Sequence, residues 1–375
     1  MSFVMGDKMD RNCFVCTTPY QILAAVTLAC NDDTESDLVI VPQFGNAGMY
    51  AERIDKTKVF RRVVISDFES VNRYKNRQSS IAVGVGIVQQ YLRVKKTVPQ
   101  YLGDVEYSKV LISSQAIVGR LISLYYLKRG AEIVYFDDGE GSYDDVWKYE
   151  AKGIDRKIRS VLFGKKSIGL GTERILYCPE LYEKTFGNKD HVSKIPNWAE
   201  DKDTLSTLND ICGYSDSAQI THDVILLDTI PSETFDEAGQ TKYCELFDLM
   251  VQSFGKTMIV KKHPRDKRDF GDVCEVYQYP SIPFELLCAN SDIAKKVLIS
   301  PGSSAVLMPK ILFDAEPVVI LLHHITGIRV GDSEKREKII SYIRSLYTDP
   351  SRFIIPETVE EYKEVLASFL KERNE

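Results

Sequence analysis

Short apolar segments alternate with longer helical segments along this sequence, and the alternation occurs twice. The apolar segments are rich in Val and Ile and lack a regular polar alternation, which is typical of strands buried on both faces of a parallel sheet. Strands separated by helices predict right-handed crossover connections and therefore an α/β fold. The predicted strands are Cys13–Cys16, Leu38–Pro42, Arg62–Ser66, Lys109–Ser113, Glu132–Phe136, Val224–Leu227, Met258–Lys261, Val273–Tyr277, Val297–Ser300 and Val318–Leu322. The predicted helices are Gln21–Ala29, Ser80–Lys95, Ala116–Lys128, Phe235–Phe254, Phe284–Ala289, Ser304–Phe313, Glu334–Tyr347 and Val359–Glu375.

The length of 375 residues predicts two domains. The segment from Val192 to Asp223 has little hydrophobic periodicity and several turn-forming residues, so we interpret it as the connection between the domains. The predicted domains are therefore residues 1–205 and 206–375, each with its own parallel sheet.

Composition excludes several classes of protein. A net charge of -6 argues against a dedicated nucleic-acid binder. No apolar run approaches the ~18–20 residues needed to cross a bilayer, and the first residues lack a signal-peptide core. We therefore expect a cytoplasmic protein. The eight cysteines are scattered, and the close pair Cys13 and Cys16 lacks a second ligand pair for zinc, so we expect buried structural thiols.

Three short polar sequences stand where predicted strands end. They are Asp137-Asp138-Gly139-Glu140-Gly141, Lys261-Lys262-His263-Pro264-Arg265 and Ser300-Pro301-Gly302-Ser303-Ser304. In an open α/β sheet, ligands bind at the carboxyl ends of the strands. The sequence therefore predicts a site built from carboxylates, a histidine with cationic neighbours, and hydroxyls at a helix start.

The adjacent carboxylates of Asp137 and Asp138 have two interpretations. Side chains of neighbouring residues in an extended chain point to opposite sides, so one carboxylate can face a ligand while the other bonds the turn at Gly139. A partly desolvated carboxylate can act as a general base. The alternative is that both only close the turn. Asp228, which follows the strand Val224–Leu227, is a second candidate base, or a turn former ahead of Pro231.

The remaining candidates fit a phosphate or a nucleotide. His263 is followed by Pro264, which restricts it to extended conformations, and Arg265 adds positive charge for a phosphate. Ser303 and Ser304 open a helix, where backbone N–H groups and the helix dipole favour anions, although Ser303 can equally be an ordinary N-cap. Glu285 can bond a ribose diol or stabilise its own helix. His323 and His324 lack a comparable setting and are expected to be structural or solvated.

A basic stretch at 148–166 has apolar residues interleaved with its lysines and arginines. Such a segment could lie on an anionic membrane, such as the inner face of the cell membrane, or contact an acidic glycan. A solvated helix face is the interpretation that we favour.

Taken together, these motifs resemble bacterial sialyltransferases of glycosyltransferase family 52, which includes lipooligosaccharide sialyltransferases, and are related to those of bacterial polysialyltransferases. The matching residues are Phe136-Asp137-Asp138-Gly139 with Gly141, His263-Pro264-Arg265, Ser303 with Ala305, Leu307 and Met308, and the opening Cys16-Thr17-Thr18-Pro19-Tyr20-Gln21. The similarity runs along most of the chain in order, although its specific motifs total fewer than two dozen positions.

The resemblance implies the GT-B fold, in which two Rossmann-like domains face a central cleft, with an N-terminal acceptor domain and a C-terminal donor domain. It implies transfer of sialic acid from CMP-sialic acid, with inversion and without an obligatory metal or cofactor, to a terminal sugar such as galactose of a lipooligosaccharide or capsule. The implied catalytic residues are Asp138 or Asp137, with His263 assisting departure of the CMP phosphate as a cation. The implied donor-binding residues are Gly139, Pro264, Arg265, Glu285, Gly302, Ser303 and Ser304.

One departure from the family keeps the base open. Family 52 enzymes can place it in a Ser-Pro-Asp setting after the first strand of the second domain, whereas this chain has Asp228 just after the strand, followed by Pro231-Ser232-Glu233. The alternatives are a hexosyltransferase or polysialyltransferase of the same fold, or a non-catalytic partner in glycan assembly. The expected partners are a nucleotide sugar and a glycan acceptor, without nucleic acid, and a homodimer is a further hypothesis.

Overall fold

The computed structural model describes residues 10–66, 80–113, 117–143, 157, 161, 173–187, 190–263, 265–327 and 333–372. The chain divides into two compact units, Met1–Cys212 and Gly213–Glu375. The predicted boundary between residues 205 and 206 falls inside the helix Lys202–Cys212, which belongs entirely to the first unit.

The first unit is built on a parallel sheet of seven strands in the order β3-β2-β1-β4-β5-β6-β7. The strands are β1 Arg11–Cys16, β2 Glu35–Ile40, β3 Arg62–Ile65, β4 Lys109–Ile112, β5 Glu132–Phe136, β6 Glu173–Leu176 and β7 His191–Lys194. The helices are Pro19–Cys30, Ala47–Thr57, Ser80–Leu102, Ile117–Leu127, Pro179–Phe186 and Lys202–Cys212. The strand order reverses between β1 and β4, and ligands of such sheets bind beside this switch point.

Burial explains why the central strands have no polar alternation. Val15 of β1, Val110 of β4 and Ile133 of β5 belong to one apolar core with Leu121 and Tyr126 of the helix Ile117–Leu127. Each strand also has buried residues on its other face, such as Phe14 and Phe136, whose rings make an edge contact. This confirms the predicted two-sided burial of the parallel strands.

The second unit repeats the architecture with six parallel strands in the order β10-β9-β8-β11-β12-β13. They are β8 Val224–Leu227, β9 Met258–Lys261, β10 Glu275–Val276, β11 Val297–Ser300, β12 Val318–Leu321 and β13 Phe353–Ile354. The helices are Pro231–Thr234, Glu237–Phe254, Phe284–Ala289, Met308–Phe313, His323–Thr326, Ser333–Ser345 and Val359–Glu372. A short 3-10 segment, Ser304–Leu307, leads into Met308–Phe313. The order reverses between β8 and β11, which flank the second switch point.

The segment Val192–Asp223, interpreted as the connection between the domains, contains the boundary between the two units after Cys212, but much of it has regular structure. This segment contains most of β7 and the helix Lys202–Cys212, which buries Leu208, Ile211 and Cys212. The helix was overlooked because its apolar residues are few and charged residues surround its start. Within the described residues, no helix is long and apolar enough to cross a membrane.

Candidate functional site

Asp137 is a buried anchor of the turn that follows β5. Its Oδ1 atom accepts hydrogen bonds from the Tyr20 hydroxyl (2.9 Å) and the Gly139 N–H (2.7 Å). Its Oδ2 atom accepts from the Tyr143 hydroxyl (2.5 Å) and the Tyr177 N–H (3.1 Å). Burial raises the pKa of this carboxyl group, and the four donors oppose the rise. Asp137 therefore holds three chain segments together, namely its own turn, the start of the helix Pro19–Cys30 and the end of β6, and the prediction that one of the two aspartates bonds the Gly139 turn is confirmed.

Asp138 has a different environment. It is partly exposed, and its Oδ1 atom accepts a 2.5 Å hydrogen bond from Nε2 of Gln21. The Gln21 amide is buried and fixed in orientation, because its Oε1 atom accepts from the N–H and the hydroxyl of Thr17. Burial raises the pKa of Asp138 to about 7, and the charge of Asp137 adds to the rise. Within the described part of the chain, the Oδ2 atom of Asp138 has no hydrogen-bond partner. This carboxylate can therefore take a proton from a ligand near neutral pH.

The turn after β1 supplies the residues that hold this aspartate pair. Thr18 caps the helix Pro19–Cys30 by accepting from the Gln21 N–H, and Pro19 occupies the first helical turn. The cap therefore fixes Tyr20 and Gln21 in the first turn, from which they reach the two aspartates. Gly139 has a φ of 74°, a left-handed conformation that favours glycine and lets the chain turn after Asp138.

Asp228 lies buried at the end of β8 with both carboxylate oxygens occupied. Oδ1 accepts from the Thr229 N–H (2.8 Å) and the Tyr243 hydroxyl (2.9 Å), and Oδ2 forms a 2.6 Å ion pair with Arg268. Burial raises the pKa of Asp228, and the charge of Arg268 opposes the rise. Asp266 shares the same guanidinium at 2.6 Å. This arrangement ties the loop after β8 to the loop after β9, as a structural ion pair would.

His263 lies two residues after the end of β9 and is partly buried. Nδ1 accepts a 3.2 Å hydrogen bond from the Arg265 N–H, so a neutral ring carries its proton on Nε2. Burial lowers the pKa of His263, and the charge of Arg265 lowers it further. The lowered pKa favours a neutral imidazole that donates through Nε2–H in the free protein, and a cationic ring beside the departing phosphate stays a prediction. Pro264 lies outside the described residues, and the exposed Arg265 pairs with Glu233 at 3.0 Å.

The serine loop, Ser300–Ser304, follows β11. The buried Ser300 hydroxyl donates to the Leu227 carbonyl (3.0 Å) and accepts from the N–H groups of Gly302 (3.1 Å) and Ser303 (2.6 Å). Ser303 in turn accepts from the Ala305 N–H at 3.3 Å, as an N-cap does. The expected anion-binding N–H groups of Gly302 and Ser303 are thus already bonded. A hydroxyl that accepts from an N–H keeps its own proton to donate, so Ser303 remains a donor.

Two residues near these loops were missed by sequence reasoning. Arg336 donates to the Gly302 carbonyl at 2.6 Å and so supports the serine loop from the helix Ser333–Ser345. Lys261 is buried beneath the His263 turn and donates to the Ile282 carbonyl at 3.0 Å. Burial lowers the pKa of Lys261 to about 8, and the charge of Glu285 opposes the fall. Burial also raises the pKa of Glu285, the residue expected at the ribose.

The structure thus brings the predicted residues together in two groups. In the first unit, Asp137, Asp138 and Gly139 form one turn at the carboxyl end of β5. In the second unit, the residues that follow β8, β9 and β11 lie at the carboxyl ends of neighbouring parallel strands, which are about 4.8 Å apart. Most of the basic stretch 148–166 lies outside the described residues, apart from positions 157 and 161.

Comparison with known proteins identifies the fold. No protein-family model matches the sequence, and no curated protein matches it. Solved structures do match. The glycotransferase of kitacinnamycin has a TM-score of 0.53 at 8% identity and covers 96% of this chain and 90% of its own. Arabidopsis thaliana UGT89C1, complexed with UDP-L-rhamnose, has a TM-score of 0.52 at 11% identity, with 97% and 90% covered. LpCGTa, in complex with UDP, has a TM-score of 0.51 at 12% identity, with 96% and 90% covered.

At these identities the likeness shows the fold alone. Two parallel-sheet α/β units and these structural neighbours identify the GT-B fold, as the sequence predicted. Fold does not give function, so the chemistry must be argued from the site residues.

Proposed function

We propose that this protein is an inverting glycosyltransferase that transfers sialic acid from CMP-sialic acid to a terminal sugar, such as galactose, of a bacterial surface glycan. The observation that carries the proposal is the half-buried Asp138 carboxylate, oriented by Gln21 and with a pKa raised to about 7. A base with this pKa can deprotonate an acceptor hydroxyl at neutral pH. Asp137, with four hydrogen bonds, is assigned to support rather than to proton transfer.

The second unit supplies the donor-binding groups of the proposal. The Nε2–H of His263, the guanidinium of Arg265 and the hydroxyls of Ser303 and Ser304 would bind the departing phosphate. Such fixed donors stabilise the charge that grows on the leaving group, an effect of a few kcal/mol for each donor. Because these groups are donors rather than metal ligands, we expect transfer without a metal at the phosphate. Glu285 would accept from the ribose hydroxyls.

The choice of CMP-sialic acid depends on the motifs, because the fold does not select the sugar. The Asp137-Asp138-Gly139, His263-Pro264-Arg265 and Ser303 motifs are those that resemble the sialyltransferases. A hexosyltransferase is the second candidate, favoured by the UDP and UDP-L-rhamnose in the names of two structural neighbours. A polysialyltransferase would share the donor and differ in adding sugars repeatedly. A non-catalytic glycan-assembly partner would lack transfer altogether.

The test combines nucleotide binding with transfer. Thermal denaturation of the full chain is followed with CMP, UDP, GDP or ADP, since a ligand selective for the folded state raises the melting temperature. We expect a shift with CMP, and a galactose-terminated acceptor should gain the mass of one sialic acid when CMP-sialic acid is added. A shift with UDP and none with CMP would replace the sialyl proposal with the hexosyl one. Repeated mass increments would indicate a polymerase.

A further inference from the structure

Two adjacent histidines meet a carboxylate at the end of β12, and none of the three is among the groups assigned to transfer. His323 and His324 begin the helix His323–Thr326, and Glu337 comes from the helix Ser333–Ser345. The Oε1 atom of Glu337 lies 2.7 Å from His323 Nε2 and 3.2 Å from His324 Nε2. The ligand atoms of all three residues lie within 4.8 Å of one another. Sequence reasoning took both histidines as structural or solvated, and the structure shows them converging on one oxygen.

A second carboxylate fixes the orientation of one ring. Nδ1 of His324 lies 2.8 Å from Oε1 of Glu357. When Nδ1–H donates to Glu357, the lone pair of His324 Nε2 faces the negative Glu337 oxygen. Two acceptors at this distance repel each other unless a proton or a metal ion lies between them. Carboxylates that accept from the outer N–H of a metal-bound histidine are a recurring feature of metal sites.

The buried His323 gives an independent observation. Only 7% of the surface of this residue is exposed to solvent. Its Nδ1 atom has no hydrogen-bond partner among the described residues. The 2.7 Å contact with the Glu337 carboxylate places the proton of a neutral His323 ring on Nε2, because a carboxylate only accepts, and a metal ion bound to Nε2 would displace that proton.

We propose that His323 Nε2, His324 Nε2 and the Glu337 carboxylate bind a divalent transition metal such as Zn²⁺, with Glu357 bonded to His324 from outside. Imidazole and carboxylate suit this class of ion, and a water can complete four ligands. Ligands about 2.0–2.2 Å from zinc lie about 3.3 Å apart in a tetrahedron. The contacts of 2.7 and 3.2 Å to Glu337 are close to this spacing, so modest side-chain movement admits the ion.

The metal would brace the serine loop. Thr326, in the histidine helix, donates to the Pro301 carbonyl at 3.2 Å, and Arg336, next to Glu337, donates to the Gly302 carbonyl at 2.6 Å. An ion that joins this helix to Glu337 therefore fixes the two elements that hold the loop. The role is structural and does not depend on the proposed transfer reaction.

Metal binding is tested directly on the full chain, without nucleotide or acceptor. Metal-free protein, prepared with a chelator, is titrated with ZnCl₂ by calorimetry and with CoCl₂ by visible absorption. We expect one equivalent of Zn²⁺ with release of protons, and a tetrahedral Co²⁺ spectrum without thiolate charge-transfer bands. Glu337→Gln should weaken binding by at least 100-fold, and Glu357→Gln by about 10–100-fold.

The chain provides a matched control. His222 and Glu275 form another histidine–carboxylate pair in the same unit, with 3.1 Å between Nε2 and Oε2. Glu275→Gln should leave the affinity unchanged, and circular dichroism confirms that each variant is folded. Equal Zn²⁺ affinity in the wild type and in Glu337→Gln would overturn the proposal, because the ion would then be held elsewhere, for example by the exposed thiols of Cys30 or Cys244. No saturable binding by the wild type would also overturn it, and a bridging proton would then explain the cluster.

Discussion

Replacing Asp138 with asparagine should make the protein more stable and less active at the same time. Asn has nearly the same size, and its Oδ1 atom can still accept the hydrogen bond from Gln21. The substitution therefore removes the negative charge while the turn keeps its shape. A residue whose only role was to close the turn would not produce both effects.

The expected gain in stability follows from the raised pKa of Asp138. The pKa rises from its ordinary value of 3.8 to about 7, mainly because of burial. The folded state then binds the proton more tightly than the unfolded chain, so stability falls as the pH rises from 3.8 to 7. At about 1.4 kcal/mol per pKa unit the full effect would be about 4 kcal/mol. Because Asp138 is partly exposed, the expected loss of unfolding free energy is about 1–2 kcal/mol. D138N should regain this free energy at pH 8, where Asp138 is charged, and not at pH 4, where it is protonated.

The expected loss of activity follows from the role as a base. Wild-type kcat/KM should rise with pH through about 7, as the Asp138 carboxyl loses its proton. D138N should lower kcat/KM by about 10²–10⁴-fold and abolish this part of the pH profile. Transfer is measured by the mass of the sialylated acceptor.

Stability can be measured for the first unit alone. Both tryptophans, Trp147 and Trp198, lie in Met1–Cys212, so their fluorescence during urea unfolding follows that unit. Asp33→Asn is the matched control, because Asp33 is an exposed aspartate of the same unit. A D138N variant that is less stable than the wild type at pH 8, or that transfers at the wild-type rate, would refute the reasoning.

Three further predictions concern the second unit. H263Q should retain more activity than H263A, which should lose about 10²–10³-fold, since the Gln amide can replace the Nε2–H donor; equal losses would instead indicate that His263 transfers a proton. D228N should lower the free energy of unfolding by about 2–4 kcal/mol, because it removes the buried negative charge that pairs with Arg268. The turnover of the D228N molecules that fold should stay within a few-fold of the wild-type turnover. A loss of turnover above 10²-fold would make Asp228 the base. E285Q should weaken CMP binding about tenfold, measured by calorimetry, with an unchanged melting temperature; unaltered affinity would remove Glu285 from the ribose site.

The parts of the fold that could be predicted are those that a local pattern determines. Strands β5, β8, β9 and β11 have the predicted bounds, because each is a short apolar run buried on both faces. Strands β6 and β7 were missed because charged residues interrupt the apolar ones in Glu173–Leu176 and His191–Lys194. In β6 the buried Arg174 is paired with Asp190, whereas β7 is the edge strand of the sheet. Edge strands tolerate such residues, so their pattern does not distinguish them from loops.

The contacts within the site could be predicted only in part. The sequence places Asp138 after a strand, but nothing in it shows that Gln21, 117 positions earlier, orients the carboxylate. That contact arises because β1 and β5 both flank β4 and end at the same edge of the sheet. The Thr17-Thr18-Pro19-Tyr20-Gln21 turn was singled out as a motif, and the strand order was the missing information. The lowered pKa of His263 could not be predicted for a similar reason, since the burial of its ring is a property of tertiary packing.

The two adjacent aspartates have opposite energetic roles, and each depends on the other. Asp137 accepts four hydrogen bonds, which offset the cost of its burial and fix the turn. Its negative charge, fixed in place, then contributes to raising the pKa of Asp138, which has one hydrogen-bond donor and remains partly exposed. Because neighbouring side chains point to opposite sides of an extended chain, the pair can divide these roles. In the proposed mechanism, stability is lost at Asp138 to produce a base that works near neutral pH, and Asp137 is the residue that supports it.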